Sequence, residues 1–128
     1  MSARILIVED HPTMREAMRL VLEGEGFEID EAPDGDRALA AVRSDHPDLV
    51  LLDMSIPGTS GPEVLATVKG DPATADVRVI VVTATGEEGR SAALAGGADH
   101  YFTKPFSPIA LLQAVEQVLR PEEPAGGG

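Results

Sequence analysis

Cysteine and tryptophan are absent from this chain of 128 residues, which has one tyrosine and three phenylalanines. Without cysteine the chain forms no disulfide and offers no thiolate to a metal, which fits a reducing compartment. No apolar run approaches the roughly 20 residues needed to cross a bilayer, and the N-terminus has no signal-peptide pattern. We therefore expect a cytoplasmic protein without a membrane partner.

Positive charge is also scarce, because 10 basic residues stand against 22 acidic ones and the formal net charge is −12. An excess of negative charge repels phosphate backbones, so we expect no direct binding of nucleic acid by this chain. The hydrophobic fraction of 43% is that of an ordinary globular protein. We expect one domain over residues 1–120, followed in residues 121–128 by a flexible tail or the start of a linker.

Five short apolar segments alternate with segments of helical periodicity, a pattern typical of parallel strands joined by crossover helices. The apolar segments are residues 5–8, 27–32, 49–52, 79–82 and 101–102. The first, third and fourth are continuously apolar, as strands buried on both faces are, whereas polar residues interrupt the other two. Placing those two at the edges predicts a doubly wound α/β fold, with five helices and a five-stranded parallel sheet in the flavodoxin-like order 2-1-3-4-5.

Apolar residues spaced by three and four positions mark the predicted helices. The stripe of the first helix, which we interpret as core, consists of Met14, Ala17, Met18, Val21 and Leu22. Ser60 and Ser107 predict the starts of two further helices, with Pro62 and Pro108 at the first helical position. The fourth predicted helix, between residues 86 and 97, is weak because each interior glycine costs about 1 kcal/mol relative to alanine.

Charged side chains follow three of the predicted strands. Glu9 and Asp10 come after the first strand, Asp53 ends the third, and Lys104 follows the fifth. Because parallel strands end at the same edge of a sheet, we expect three carboxylates and one ammonium group to converge there. Closely packed carboxylates do not all ionise cheaply without a cation, and oxygen donors favour a hard ion. The expected ion is Mg²⁺, with Mn²⁺ as a possible substitute.

The acids and the lysine together favour phosphoryl chemistry. Asp53 is a candidate nucleophile toward phosphorus, because a metal ion and the ammonium group of Lys104 would neutralise the incoming oxygens. Thr83, at the end of the fourth strand, is placed to donate a hydrogen bond to a phosphoryl oxygen. Ala84 follows it and is small enough to leave room for the group. The pattern predicts a phosphoaspartate site.

In this order and spacing, the residues resemble the receiver domains of two-component response regulators, from Ile5 to about Leu119. The motifs that carry the resemblance are Glu9-Asp10, Asp53 with Pro57-Gly58 and Gly61, Thr83-Ala84, and the segment from Gly97 to Phe106. The resemblance implies a cytoplasmic signalling module whose state depends on phosphorylation.

The resemblance also implies roles for single residues. Asp53 would accept a phosphoryl group from the phosphohistidine of a histidine kinase or phosphotransfer protein. Asp10, Asp53 and the backbone carbonyl of Ser55 would hold Mg²⁺, and Glu9 would act largely through a coordinated water. Lys104 would contact the phosphoryl group.

Further implied roles concern how the signal leaves the site. The Lys104–Pro105 peptide bond would be cis. Thr83 and Tyr101 would form a switch pair, in which the hydroxyl moves toward the phosphate and the ring turns inward. The surface of the fourth helix, fifth strand and fifth helix would then meet a downstream protein or output domain. The chain would be a monomer or a phosphorylation-dependent dimer.

One position departs from the family pattern, and two others bear on the lifetime of the phosphorylated state. Ser60 stands where many members carry aspartate. Ser55 and Thr85 occupy positions at which the family tunes loss of the phosphoryl group. The lifetime of a phosphorylated state therefore stays open.

Two other classes of function stay open at this point. A phosphatase of the haloacid-dehalogenase type also uses an aspartate nucleophile, but it normally has a second aspartate at the position of Ser55. A pseudo-receiver only binds partners and usually lacks an acid or the lysine. We expect a receiver rather than a turnover enzyme, with self-catalysed phosphorylation and dephosphorylation of Asp53 as its chemistry.

His11 directly follows the acid pair and invites interpretation as a metal ligand. We interpret it instead as a solvent-facing residue at a helix start, because the expected ion prefers oxygen.

Overall fold

The computed structural model describes residues 3–84, 91 and 93–120, and its five strands form one parallel sheet. The strands are β1 (Arg4–Val8), β2 (Glu28–Ala32), β3 (Leu49–Asp53), β4 (Arg78–Thr83) and β5 (His100–Thr103). Their order is β2-β1-β3-β4-β5, and every neighbouring pair is parallel. The predicted fold class and strand order are confirmed.

Four helices are bounded within the described residues. They are α1 (Pro12–Glu23), α2 (Gly35–Asp45), α3 (Gly61–Gly70) and the C-terminal helix (Pro108–Leu119). Ser91 and residues 93–95 are also helical, whereas residues 85–90 and 92 of the predicted fourth helix lie outside the described part. The predicted tail, residues 121–128, lies outside it as well, so the domain boundary at residue 120 stays a prediction. No helix in the described part has the length and apolar character required to cross a membrane.

Helices cover both faces of the sheet and divide the core in two. On one face, residues such as Leu6 and Val50 pack with the buried side chains of α2 and α3. On the other face, Ile5, Leu49 and their neighbours pack with α1 and the C-terminal helix. Every residue of β3 is buried, whereas the predicted edge strands β2 and β5 are partly exposed. The continuous apolar runs therefore mark the centre of the sheet, as strands covered on both faces do.

Serine hydroxyls begin two helices as expected. Ser107 accepts a hydrogen bond from the Ala110 amide at 3.0 Å, and Ser60 accepts one from the Glu63 amide at 3.2 Å. Pro62 is nevertheless at the second position of α3, not at the predicted first. The reason is that the Ser60 cap reaches the amide three residues on, which makes Gly61 the first helical residue.

The apolar stripe of α1 is only partly core, so the prediction for it was wrong at one position. Met18 and Leu22 are buried, Met14 and Val21 are half-buried, and Ala17 is exposed. Ala17 is exposed and lines a shallow cavity of about 430 Å³ at the edge of the charged cluster. The cavity is lined by Glu9, His11, Thr13, Met14, Ala17 and Lys104.

Candidate functional site

The predicted charged residues converge at the C-terminal ends of β1 and β3, where the strand order reverses. Asp53 is the last residue of β3, Glu9 and Asp10 directly follow β1, and Lys104 follows β5. Lys104 Nζ lies 2.9 Å from Asp53 Oδ2 and 3.4 Å from Glu9 Oε2. This edge is where open parallel sheets bind ligands.

Asp53 is a buried carboxylate in a fixed position, with 2% of the residue exposed. Its backbone is held in the sheet opposite Val82, and the next residue donates an amide hydrogen bond to the Val82 carbonyl at 3.0 Å. Its Oδ1 accepts the Ser55 amide at 2.8 Å, while Oδ2 accepts the Lys104 ammonium. Each oxygen thus has a donor that stabilises the ionised form.

Glu9 is also buried, at 1% exposure, and lies between two nitrogen groups. Its Oε1 is 3.0 Å from His11 Nδ1, and its Oε2 faces Lys104. Its backbone amide donates to the Ala32 carbonyl at 3.2 Å, and its carbonyl accepts from Arg15 Nη1 at 2.8 Å. Both the backbone amide and the backbone carbonyl of Glu9 are therefore hydrogen-bonded.

The two buried carboxyl groups differ in pKa. Burial, together with the neighbouring Asp53, raises the pKa of Glu9 above its ordinary value. Burial also acts to raise the pKa of Asp53, but bonds from Glu9, Lys104 and the Ser55 amide outweigh it and hold that pKa below the ordinary value. Desolvation acts against the charge on Lys104, and its bond to Asp53 more than offsets this, so its pKa is raised. The ionised form is thus favoured at Asp53 more than at Glu9, first through the bond between the two carboxyl groups and then through the bond from Lys104.

Asp10 lacks a hydrogen-bond partner for one buried oxygen. Its Oδ1 makes no hydrogen bond within the described part of the chain, although His11 Nδ1 lies 3.2 Å away. Glu9, Asp10, His11 and Asp53 each offer a ligand atom, and these atoms lie within 4.8 Å of one another. A divalent cation among them would satisfy the orphaned oxygen, so the donor set fits the expected metal.

The remaining predicted site residues lie around this cluster. Thr83 ends β4 and is buried, and its carbonyl accepts the Lys104 amide at 2.8 Å. Ala84 follows it at an exposed position, whereas Thr85 lies outside the described residues. Tyr101 lies on β5 opposite Val81 and is half-buried against the core cluster of α2 and α3.

Ser55 and Pro105 complete the predicted set. Ser55 is exposed, two residues after Asp53, and its amide faces the carboxylate. The Lys104–Pro105 peptide bond is cis, the conformation that the resemblance implied.

His11 contacts the acid pair more closely than the sequence indicated. It is the N-cap of α1, and its side chain is 71% exposed, in agreement with a solvent-facing helix start. Its Nδ1 nevertheless contacts both Glu9 and Asp10, and its pKa is raised, first by the bond to Glu9 and then by the charge of Asp10. The sequence signal for this contact was a histidine directly after two acids at the end of a strand.

The sequence did not predict a second group of contacts, which joins the start of α2 to the loop after Asp53. These residues are far apart in the chain. The Gly35 amide at the start of α2 donates to the Pro57 carbonyl at 3.1 Å. Next to it, the Thr59 hydroxyl donates to Asp36 Oδ1 at 2.5 Å. The start of α2 therefore holds the loop that leads from Asp53 to α3.

Comparison with known proteins agrees with this geometry. The response regulator receiver domain family matches residues 5–116. The phosphate regulon transcriptional regulatory protein PhoB of Escherichia coli (strain K12) is 44% identical over 121 residues, which are 94% of this chain and 53% of that protein. The DNA-binding response regulator MtrA of Mycolicibacterium smegmatis is 41% identical over 124 residues, 96% of this chain and 53% of that protein. The chain thus spans about half the length of these relatives.

Solved structures show the same likeness. The crystal structure of a response regulator receiver domain protein from Methanospirillum hungatei JF-1 superposes with a TM-score of 0.86 at 30% identity, covering 93% of this chain and 94% of that one. The family match, the relatives and the strand-end acids agree with one another. This chain belongs to the receiver domain family of two-component response regulators.

Proposed function

We propose that Asp53 is the phosphoacceptor of this receiver domain and takes its phosphoryl group from the phosphohistidine of a histidine kinase or phosphotransfer protein. The observation that carries the proposal is the state of Asp53, a buried carboxylate whose pKa is held below its ordinary value beside Lys104. An ionised carboxylate is the nucleophilic form, and its fixed position at the end of β3 presents it to an incoming phosphorus atom.

The transfer forms one bond and breaks another. A carboxylate oxygen of Asp53 attacks phosphorus as the bond to the donor imidazole nitrogen breaks, and the imidazole leaves with the bonding electron pair. The Lys104 ammonium, 2.9 Å from Asp53 Oδ2, neutralises charge on the phosphoryl oxygens. The Thr83 hydroxyl binds one of these oxygens, and Ala84 leaves space for the group.

The same step is inferred to depend on Mg²⁺, with Mn²⁺ as a substitute. Asp10, Asp53 and the carbonyl of Ser55 would hold the ion, and Glu9 would act through a coordinated water. The orphaned Asp10 Oδ1 supports this assignment, since it is a buried acceptor that points to a missing partner. When bound, the ion would neutralise charge that gathers on the phosphoryl oxygens.

The output is inferred to run through Thr83 and Tyr101, the proposed switch pair. They lie on neighbouring strands, and the register pairs Thr83 with Thr103 and Val81 with Tyr101. The responding surface would comprise the fourth predicted helix, β5 and the C-terminal helix, of which residues 85–90 and 92 are outside the described part. Its partner would be a downstream protein or an output domain, bound by a monomer or a phosphorylation-dependent dimer in the cytoplasm.

Loss of the phosphoryl group is inferred to be self-catalysed, and Ser55 and Thr85 are the proposed tuning positions. The alternative, a pseudo-receiver that only binds partners, is less well supported. Such a module needs neither the convergent acids nor a lysine within 2.9 Å of one of them.

Intact mass after incubation with acetyl phosphate tests the proposal. The chain is compared with Asp53→Asn and with the control Asp76→Asn, whose side chain is 72% exposed beside His46. We expect one added phosphoryl group on the unmodified chain and on the control when Mg²⁺ is present, and none without it. Equal labelling of Asp53→Asn, or labelling indifferent to Mg²⁺, would contradict the proposal.

A further inference from the structure

His11 adds a nitrogen donor to a cluster of oxygen donors. Of the four residues whose ligand atoms lie within 4.8 Å of one another, Glu9, Asp10 and Asp53 offer carboxylate oxygen and His11 offers imidazole nitrogen. We propose that His11 Nδ1 binds the metal ion directly, so that this site favours borderline transition ions over Mg²⁺ more than an all-oxygen site does. This inference rests on the metal site of the proposed function.

The distance between His11 and Asp10 is close to that between neighbouring ligands of an octahedral ion. At a metal–ligand distance of about 2.1 Å, adjacent ligand atoms are about 3.0 Å apart. His11 Nδ1 lies 3.2 Å from Oδ1 of the proposed ligand Asp10, and 3.0 Å from Glu9 Oε1 in a hydrogen bond that metal binding would replace. The orphaned oxygen of Asp10 is one of these two neighbours, and it is buried without a hydrogen bond in the described part of the chain. The imidazole nitrogen is therefore already at ligand spacing from the proposed ligand Asp10.

The main chain keeps His11 at the cluster. It is the N-cap of α1 with an extended backbone conformation, and Pro12 follows it at the helix start. Its carbonyl accepts the Arg15 amide at 3.0 Å, and its own amide faces Glu9 Oε1 at 3.4 Å. The side chain is 71% exposed, so an ion can reach the nitrogen from solvent without displacing core residues.

Ligand chemistry gives the direction of the selectivity. Imidazole suits later first-row ions, whereas carboxylate and water suit Mg²⁺ and Mn²⁺. Co²⁺ is a suitable probe because it accepts oxygen and nitrogen ligands and lies above Mn²⁺ in the affinity order of divalent ions. Loss of the His11 nitrogen should weaken Co²⁺ binding strongly and Mg²⁺ binding little.

The test uses the untagged chain, His11→Asn and the control His46→Asn. His46 is a second exposed histidine, paired with Asp76, and its left-handed backbone tolerates asparagine. Calorimetric titrations with Mg²⁺ and Co²⁺ are run well above the ordinary pKa of imidazole. We expect the preference for Co²⁺ over Mg²⁺ to fall at least about ten-fold in His11→Asn, since even loss of an outer-shell partner costs about 10–100-fold in metal affinity. We expect it to stay unchanged in His46→Asn.

Pulsed electron paramagnetic resonance on the Mn²⁺-loaded proteins detects a nitrogen atom bound directly to the metal ion. We expect nitrogen modulation from a bound imidazole in the unmodified chain and in His46→Asn, and its loss in His11→Asn. Metal binding without nitrogen modulation, with an unchanged ion preference in His11→Asn, would overturn the inference and leave the proposed function intact. An unmodified chain that binds no divalent ion would overturn both.

Discussion

Glu9 and Asp53 show how a mutual bond and a neighbouring lysine move the pKa values of two buried carboxyl groups in opposite directions. Lys104 Nζ is 2.9 Å from Asp53 but 3.4 Å from Glu9, and Asp53 also accepts an amide hydrogen bond. The lowered pKa of Asp53, which its bond with Glu9 lowers most, favours the anion, while the raised pKa of Glu9 favours its retaining a proton when no metal is bound. A cation would reverse the preference of Glu9, because it stabilises the ionised form.

Glu9 should make metal-free stability fall with pH. The folded chain keeps the Glu9 proton above the ordinary value of 4.5, while the unfolded chain releases it. Stability therefore falls as pH rises from 4.5 through the raised pKa of Glu9. The raised pKa of His11 acts in the same direction at higher pH, from 6.5 upward. The lowered pKa of Asp53 acts below this window, because its contribution is lost only as pH falls from 3.8.

The Glu9→Gln variant should flatten this pH dependence. We expect its free energy of unfolding, measured by urea titration in chelator between about pH 5 and pH 8, to vary less than that of the unmodified chain. Glu16→Gln, at an exposed position on α1, is the control and should keep the original slope. Parallel profiles for all three proteins would show that Glu9 titrates normally.

At the scale of elements, two close helix starts shape the loop beyond Asp53. A Cβ at Gly35 would lie 1.8 Å from the Thr59 carbonyl oxygen, and a Cβ at Gly61 would lie 2.5 Å from Met54 Cα. Real Cβ atoms do not approach backbone so closely, so both positions require glycine. Since Met54 follows Asp53, the packing of α3 bears directly on the site.

Gly61→Ala and Gly70→Ala form a matched pair at the two ends of α3. We expect Gly61→Ala to destabilise the fold by about 1–3 kcal/mol, because the added methyl forces α3 away from Met54. We expect Gly70→Ala to stabilise it by about 0.4–1 kcal/mol, because nothing lies within 4 Å of its Cβ and the unfolded chain loses freedom. Urea denaturation measures the change in unfolding free energy of both variants. Equal changes would contradict the close approach of Gly61 to Met54.

Local patterns predicted the sheet because its central strands are buried on both faces and read as apolar runs. They also located Asp53, Glu9 and Lys104, since parallel order alone brings strand ends together. They did not reveal the bond between Thr59 and Asp36, which are 23 positions apart, or the exposure of Ala17 beside the cluster. Such contacts depend on how helices pack on the sheet, and the spacing of apolar residues along a short segment does not encode this packing.

For the whole molecule, the dominant electrostatic feature is a net charge of −12. At the site itself, the three acids are contacted by Lys104 and His11 among the described residues. Any ion that binds there relieves repulsion in the folded state and finds no such cluster in the unfolded one. Metal binding should therefore stabilise the entire fold.

Mg²⁺ should raise the thermal midpoint of the chain. At 100 times its dissociation constant a ligand adds about 2.7 kcal/mol, which corresponds to roughly 10 °C for a domain of this size. Calorimetric melting in Mg²⁺ is compared with melting in NaCl of equal ionic strength, so that general screening cancels. Asp10→Asn should lose most of the shift and Asp76→Asn should keep it. A full shift of the thermal midpoint in Asp10→Asn would contradict the assignment of Asp10 as a metal ligand.

We propose that Asp53, and not either neighbouring acid, receives the phosphoryl group, and the position of the label on the chain tests this most directly. After treatment with acetyl phosphate and Mg²⁺, borohydride reduces an acyl phosphate to the alcohol and so marks the modified side chain permanently. Tandem mass spectrometry of the resulting peptides then locates the mark. We expect homoserine in place of Asp53, and none when Mg²⁺ is omitted. A reduced side chain at Glu9 or Asp10, with Asp53 intact, would contradict it.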